Sequence, residues 1–575
     1  MNVVAKTQAM KINTTNAFIP NLEKPINPLT YLTDSYKVSH ILFEIDGVKE
    51  IYSNFTARFG KYMQEMVGAA WDGHYVVFGV QYAILEMQHM FKTGFFDRPK
   101  AEVMDEMKDM FIPYIGHNKY EHFEALHDLG YLPIKVKSLP EGTLAPIGCP
   151  FLTIRNTLPE FEWLPNYLES LLSTLIWKPL TIATMSRFFR LKSNEYALKT
   201  TGSLAGTEWQ NHDFHVRGGS GWQSSAINGC GFLLSSNGSD NMPAIEYAER
   251  YFGSKNLNGV PTLVGSVPAG EHSVTTLGIL TLAETLNLDL VAAEEKYVNF
   301  VLDRFPTGIF SYVSDSFDYW SLVDKVLPAV KDRIMQREGK FVVRGDSGNP
   351  VHIIAGYRFK NLEHVRPLSL NATILDAIEH GYEAFYFDNT YWRVGKSDVG
   401  GTKMVEITRS EVVGTIERLW ELFGGTVNDQ GYRVLDEHIG MIYGDGINLD
   451  RQNEILKRLE EKGFASLNIV FGVGSYSLNL VGRDHLGMAI KATNAIVGIG
   501  GTLVDKPIYK DPKTDTSKKS ARGLLAVCTE GNRVVSWKDT VTRSEEAQGA
   551  LRTVYEDGQH YNLETLYAMR ERLWG

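Results

Sequence analysis

Cysteine is scarce, with three in 575 residues. Cys149, Cys230 and Cys528 lie far apart, are odd in number and have no metal-like spacing. That excludes a disulfide framework and points to a reducing, cytoplasmic setting. Long apolar runs are missing too: none approaches the ~20 residues a membrane span needs. The opening stretch, with Asn2, Lys6, Gln8, Lys11 and Asn13, lacks the apolar core of a signal peptide. The first 25 or so residues are expected to be loosely ordered. Positive charge is not in excess, because 58 Lys and Arg against 68 Asp and Glu leave a net charge of −10. This balance argues against nucleic acid or an anionic membrane as the main partner. An anionic small molecule stays open, since local Lys and Arg clusters reverse the field inside a cleft. No GxxxxGK[ST] occurs, so any use of ATP does not run through a P-loop.

What is there reads as a soluble globular enzyme, 43% hydrophobic and 22% charged. The length suggests two to four domains, although a barrel absorbs about 250 residues as one unit. The most informative stretch is Phe341-Val-Val-Arg344-Gly-Asp346-Ser-Gly-Asn-Pro350, an apolar β-run breaking into a loop of polar and turn-forming residues. The grammar recurs where Tyr312-Val313 meets Ser314-Asp315-Ser316, Met441-Ile-Tyr443 meets Gly444-Asp445-Gly446, and Ile469-Val-Phe471 meets Gly472-Val-Gly474-Ser475. Strands that end repeatedly in small and acidic residues predict several strand ends facing one site, as in parallel α/β folds.

The predicted fold class is therefore α/β. A barrel-like domain covers residues 176–489, and a split α+β domain combines residues 26–175 with 490–575. A closed sheet is preferred to an open one because polar strand ends recur over most of the middle region. Its clearest βαβ unit has a strand ending at Tyr443, a helix starting near Asp450 as N-cap and stopping at Gly463, and a strand at 467–471. Residues 163–177 and 181–199 read as two helices split at Pro179. Residues 356–404 are a candidate insertion with a strand-like run at 384–389.

Three clusters could carry chemistry. The stretch 506–522 holds six basic residues and suits polyphosphate, although the favoured reading of a charge run by itself is a solvated surface loop. Arg483 and Lys491 follow the Gly-rich turn at 472–475, whose backbone N–H groups suit phosphate. His272, in Val267-Pro-Ala-Gly-Glu-His272-Ser, reads as a nucleophile, a base or a capped structural histidine, with Asp315 and Asp346 as acids that could orient its ring. Phe214 and Arg217, three apart, suit a flat ring and a phosphate, or equally a buried Phe with a surface Arg. Asp240 on its own is a turn former. Gly-Gly-Thr triplets at Gly400, Gly424 and Gly500 lack the apolar, doubly acidic lead-in of type I phosphoribosyltransferases.

With these pieces in order, the chain resembles the nicotinamide phosphoribosyltransferases, type II enzymes that join nicotinamide to phosphoribosyl diphosphate. The resemblance runs from about Leu32 to Arg522. It includes Thr33-Asp-Ser-Tyr36-Lys-Val-Ser-His40, Tyr52-Ser-Asn-Phe-Thr-Ala-Arg58, His212-Asp-Phe214 with Arg217, and Lys510-Asp-Pro, beside the motifs above. It implies a homodimer with active sites at the interface. Phe214 would stack on one face of nicotinamide, and Tyr36 from the other subunit would cover the second face. Arg217 and Arg344 would meet ring substituents and ribose phosphate, and Asp346 would hold the ribose hydroxyls. Gly444, Asp445, Gly474 and Ser475 would line the nucleotide phosphate pocket. Arg58, Arg483, Lys491, Lys510 and Lys518 would surround the diphosphate, with Mg²⁺ as cofactor and its ligands unassigned. His272 would be phosphorylated by the co-substrate ATP, with Asp315 as its partner. Asp240 would accept from the amide NH₂ and repel a carboxylate, since burying two like charges costs on the order of several kcal/mol. That favours nicotinamide over the rival base nicotinate; a non-catalytic binder keeping the fold is the other alternative. Ser475 and Tyr476 replace later glycines of the family turn, Ala489 stands where vertebrate relatives have serine, and the insertion is open to covering the site, extending a dimer surface or decorating a loop.

Overall fold

The computed structural model describes residues 23–254, 264–396, 402–510 and 521–575. Residues 1–22, Lys518 and most of the basic stretch lie outside them. Six parallel strands form the central sheet, in the order Gly238–Ser239, Asn211–Asp213, Ile469–Val473, Ile439–Tyr443, Phe341–Gly345 and Phe310–Val313. Val343, Met441, Ile469 and Phe471 are buried. Such near-continuous apolar runs are what a parallel sheet covered on both faces requires. Residues 264–270 then touch both outermost strands. The Gly265 N–H donates to Asn237 O at 2.8 Å, and the Ser311 N–H donates to Pro268 O at 2.8 Å. Parallel bridges join Gly238 to Gly265 and Ala269 to Ser311, so the sheet closes on itself.

Register sets the strand ends level. Val313 pairs with Arg344, Tyr443 with Gly345 and Phe471, and Val473 with Asp213. The residues just beyond these ends therefore crowd one mouth, the C-terminal face of the barrel.

A second, antiparallel sheet of seven strands runs Thr502–Pro507, Met488–Ile499, Val48–Ala57, Pro150–Asn156, Ile134–Ser138, Arg552–Glu556 and Gln559–His560. It draws its strands from both ends of the chain. Between the two sheets runs one helix of 33 residues, Glu169–Thr201, with Pro179 inside it. The expected break at Pro179 is not there. Pro removes one helical hydrogen bond at a cost of about 3 kcal/mol, but burial of Leu172, Ile176, Leu180, Ile182 and Phe188 on this helix outweighs it. The predicted N-cap of the barrel helix also moves: Leu449–Glu461 is capped by Asn448, which accepts the Arg451 N–H at 2.9 Å, rather than by Asp450.

Within 359–407, strands Phe359–Asn361, Ala384–Phe387, Thr390–Lys396 and Thr402–Ile407 make a separate sheet beside helix Pro367–Glu379. Leu362, Ile374, Ala377 and Phe385 give it a core of its own. Among the described residues no single helix is long and apolar enough to cross a membrane.

Candidate active site

Phe214 lies at the barrel mouth, where its N–H donates to Val473 O at 3.0 Å. Its ring rests on bare backbone, since a Cβ at Gly472 would overlap the ring and one at Gly444 would stand 3.4 Å from it. The two glycines are thus the floor beneath a flat, half-buried side chain. Arg217 follows in the short turn Val216–Gly218 and is exposed. That turn packs tightly against Ser475, because a Cβ at Gly218 would overlap the Ser475 hydroxyl. Ser475 opens a helix of only four residues, Ser475–Leu478, too short to add a sizeable helix dipole to the N–H groups of the turn. Tyr476 is 52% exposed and lies 5.6 Å beneath the Arg451 guanidinium. Gly474 lies beside the Phe214 backbone.

On the other side of the mouth stand the acids. His272 opens helix His272–Leu286 directly after the closing segment. Its Nε2 lies 2.9 Å from Asp315 Oδ1, with His272 43% exposed and Asp315 only 5%. Asp315 Oδ2 accepts the Asp346 N–H at 3.2 Å. Burial pushes the Asp315 carboxyl up, but hydrogen bonds from Ser347, His272 and the Asp346 N–H prevail and hold it below the usual range. Asp346 goes the other way. Burial raises its carboxyl, Arg344 opposes this, and the nearby carboxylates of Asp315 and Asp445 add to the rise. Arg344 Nε stands 3.7 Å from Asp346 Oδ2 and has no hydrogen-bond partner within the described residues. Asp346 in turn approaches Gly444 so closely that a Cβ there would overlap its Oδ1. Asp445 is exposed beside it.

Asp240 ends the short strand Gly238–Ser239, and its N–H donates to Asp213 O at 3.0 Å. Its carboxylate accepts the Ser266 hydroxyl and lies 3.8 Å from His212 Nδ1. The His212 ring meets Phe214 edge-on at 5.8 Å, which links the Asp240 turn to the stacking ring. Burial pushes the His212 ring down, against the carboxylates of Asp240 and Asp213.

The remaining cations sit elsewhere in the chain. Arg58 and Lys491 line a cleft of about 630 Å³ on the antiparallel sheet, with Lys61, Asn54, Ala489 and Trp537 among their neighbours. None of Phe214, Asp240, His272, Asp315, Arg344 or Asp346 lines it. Arg58 Nε donates to Gly487 O at 2.7 Å, and Lys491 pairs with Glu169 at 3.1 Å. Tyr36 belongs to this face and is 58% exposed. Burial, Glu169 and Asp34 raise its hydroxyl while Lys491 lowers it. Arg483 is exposed, and Lys510 lies just past strand Thr502–Pro507. Sequence reasoning missed Ser266, Ser347 and Glu169. Single serines and a helical glutamate carry no signal until the fold brings them to a charged partner.

Among the described residues no group of three or more His, Cys, Asp or Glu side chains is placed to hold a metal ion. Mg²⁺ asks for less, typically one or two carboxylates plus substrate phosphates. Asp346, with the Asp445 carboxylate nearby, fits that donor set.

A closed parallel barrel whose mouth gathers an orienting acid, an accessible histidine, a flat ring and buried unpaired donors defines an α/β-barrel enzyme. The profile of the nicotinate phosphoribosyltransferase (NAPRTase) family matches residues 209–559. A nicotinamide phosphoribosyltransferase of Acinetobacter baylyi is 37% identical over 95% of this chain and 97% of its own. One of Mycoplasma pneumoniae is 30% identical over 85% and 93%, and one of Xanthomonas campestris 28% over 94% and 96%. The chain belongs to the nicotinate phosphoribosyltransferase family.

Proposed function

We propose that this enzyme transfers the phosphoribosyl group of 5-phosphoribosyl 1-diphosphate to nicotinamide, giving nicotinamide mononucleotide and diphosphate in NAD salvage. The observation that carries the choice of base is Asp240, whose carboxylate stands beside His212 and, through it, the Phe214 ring. A carboxylate there accepts from an amide NH₂ and repels a second carboxylate. Nicotinamide stacks on Phe214 with its ring nitrogen free. That nitrogen carries no proton, so no general base is needed. Asp346 accepts from the ribose hydroxyls and Arg344 meets the ribose phosphate. As the anomeric C–O bond breaks, positive charge grows on the sugar and negative charge on the diphosphate. Positioning and fixed charges supply most of the rate. A bound Mg²⁺ would neutralise part of the diphosphate charge, with Asp346 and Asp445 as its protein neighbours.

The cationic cleft holding Arg58 and Lys491 is separate from the mouth in one chain, and Tyr36 is exposed beside it. Both features suit a homodimer in which this face of one subunit covers the mouth of the other. Tyr36 then closes the nicotinamide sandwich, and Arg58, Lys491, Arg483, Lys510 and Lys518 surround the diphosphate. ATP enters as co-substrate through His272. Asp315 accepts from Nε2, which leaves the Nδ1 lone pair as the nucleophile for the γ-phosphoryl group, with ADP leaving.

The test compares Asp240→Asn with the parent chain on both bases. The nicotinamide preference should fall at least about tenfold; an unchanged ratio would remove Asp240 from the reading. His272→Ala should lose the stimulation by ATP, and stimulation that survives would place the phosphoryl acceptor elsewhere.

A further inference from the structure

Two ionisable side chains flank the stacking ring and take no part in the chemistry above. Asp213 and His215 stand on either side of Phe214 in the chain, and both are 0% exposed. The Asp213 carboxylate is fully engaged. One oxygen accepts the His215 N–H at 3.0 Å and also the Nδ1–H of the same ring. The other accepts Asn241 Nδ2 at 3.1 Å. Asn241, buried as well, donates to Ser225 O at 3.0 Å and caps helix Met242–Phe252 by accepting the Ala244 N–H at 3.2 Å.

These bonds reach both specificity elements. The Asp213 carbonyl accepts the Asp240 N–H at 3.0 Å. The His215 carbonyl accepts the Gly218 N–H at 3.0 Å, Ser475 Oγ at 3.3 Å and Asn479 Nδ2 at 3.4 Å. The helix opposite leaves room for the arrangement, since a Cβ on Gly229 would stand 2.5 Å from Asn241 Nδ2 and 3.1 Å from Asp213 Oδ2. An apolar pair would fill the same space without the penalty of burying a carboxylate. What the polar pair adds is direction: it fixes the backbone on both sides of Phe214 and the turn that presents Asp240.

We propose that Asp213 and His215 are positioning residues that set the Phe214 ring and the Asp240 carboxylate as one unit, so that ring and amide are recognised together. The proposal rests on the pyridine-base reading of this site. Neither residue touches the base; both act through their neighbours.

The experiment uses the full-length chain and its His215→Ala, His215→Asn and Asp213→Asn variants. Asn at 215 keeps an N–H where Nδ1 donates. Asn at 213 turns an NH₂ toward the Asn241 amide and cuts that tie. Steady-state kinetics with nicotinamide and nicotinate are read beside amide hydrogen exchange of 214–218 and 239–241. His215→Ala and Asp213→Asn are expected to raise KM for nicotinamide by roughly tenfold, with kcat changed by less than about threefold. The preference for nicotinamide should narrow to a similar extent, exchange should quicken in both segments together, and His215→Asn should recover most of the loss. Folded variants with the parent KM, base preference and exchange would overturn the proposal. So would a loss of thermal stability alone. If Asp213→Asn does not fold, the two His215 variants decide. If the parent chain uses neither base, the functional reading fails instead, and exchange decides the positioning claim: quickening in both segments supports it, and quickening in one or none overturns it.

Discussion

At the scale of single residues, the site depends on what two glycines leave out. Gly444 lets Asp346 and Phe214 approach the same piece of backbone, and a methyl group there would overlap the Asp346 carboxylate. Gly444→Ala is expected to leave the far-ultraviolet circular dichroism spectrum unchanged and to lower kcat/KM by about a hundredfold, because a shift of about 1 Å at a reacting centre costs that much. The paired acids make a second prediction. Burial and the Asp315 charge raise the Asp346 carboxyl, and the proposed ribose contact uses its ionised form. The acid limb of kcat/KM should therefore lie above the ordinary Asp value of about 3.9. Asp315→Asn removes one of the negative charges that raise Asp346, so in the absence of ATP the acid limb should move to lower pH. A pH–rate profile checks this, and a limb that stays put or rises would show that another group limits the rate.

At the scale of elements, the 359–407 unit is fastened to the barrel by Glu383. Its carboxylate accepts from Arg458 of helix Leu449–Glu461 at 2.7 and 2.9 Å, and from the Arg358 N–H at 3.0 Å. Burial alone would raise Glu383, but the bonds from His352, Arg458 and the Arg358 N–H outweigh it and hold the carboxyl far below its usual range. A depressed carboxyl contributes stability above its unfolded value and loses it as the pH falls. Glu383 is 31% exposed, so solvent screens the pair. Glu383→Gln should then cost about 1–2 kcal/mol at pH 7 in urea unfolding. The deficit should shrink steadily as the pH drops below about 4. This bond was not legible in the sequence, where Glu383 is an ordinary charge between a helix and a strand. The strand ends were legible, because an apolar run meeting Ser-Asp, Gly-Asp or Gly-Val-Gly is a local signal. Such signals mark Asp315, Asp346, Asp445 and Gly474 in the sequence alone. Pro179 misled for the opposite reason: its local rule was overridden by burial along a 33-residue helix. Asn448 displaced Asp450 as cap because boundary residues of similar chemistry compete within a turn.

At the scale of the whole molecule, one chain carries two separate groups of charged and aromatic side chains. The mouth holds the ring, the acids and His272, while Arg58, Lys491 and Tyr36 lie on the antiparallel sheet and its flank. If a dimer joins them, two inactive chains should complement each other. Asp346→Asn damages the mouth and Lys491→Ala the cationic face. Unfolded and refolded together in equal amounts, they should recover up to about a quarter of the parent activity, since half the dimers are mixed and each carries one intact site. No recovery, with dimers present by light scattering, would place both groups in one subunit's site. The central claim is the choice of base, and it is tested most directly by product formation from 5-phosphoribosyl 1-diphosphate and Mg²⁺ with nicotinamide or nicotinate. Nicotinamide mononucleotide and diphosphate from nicotinamide, with little product from nicotinate, is the predicted result; equal or greater turnover of nicotinate, or no product from either base, would contradict it.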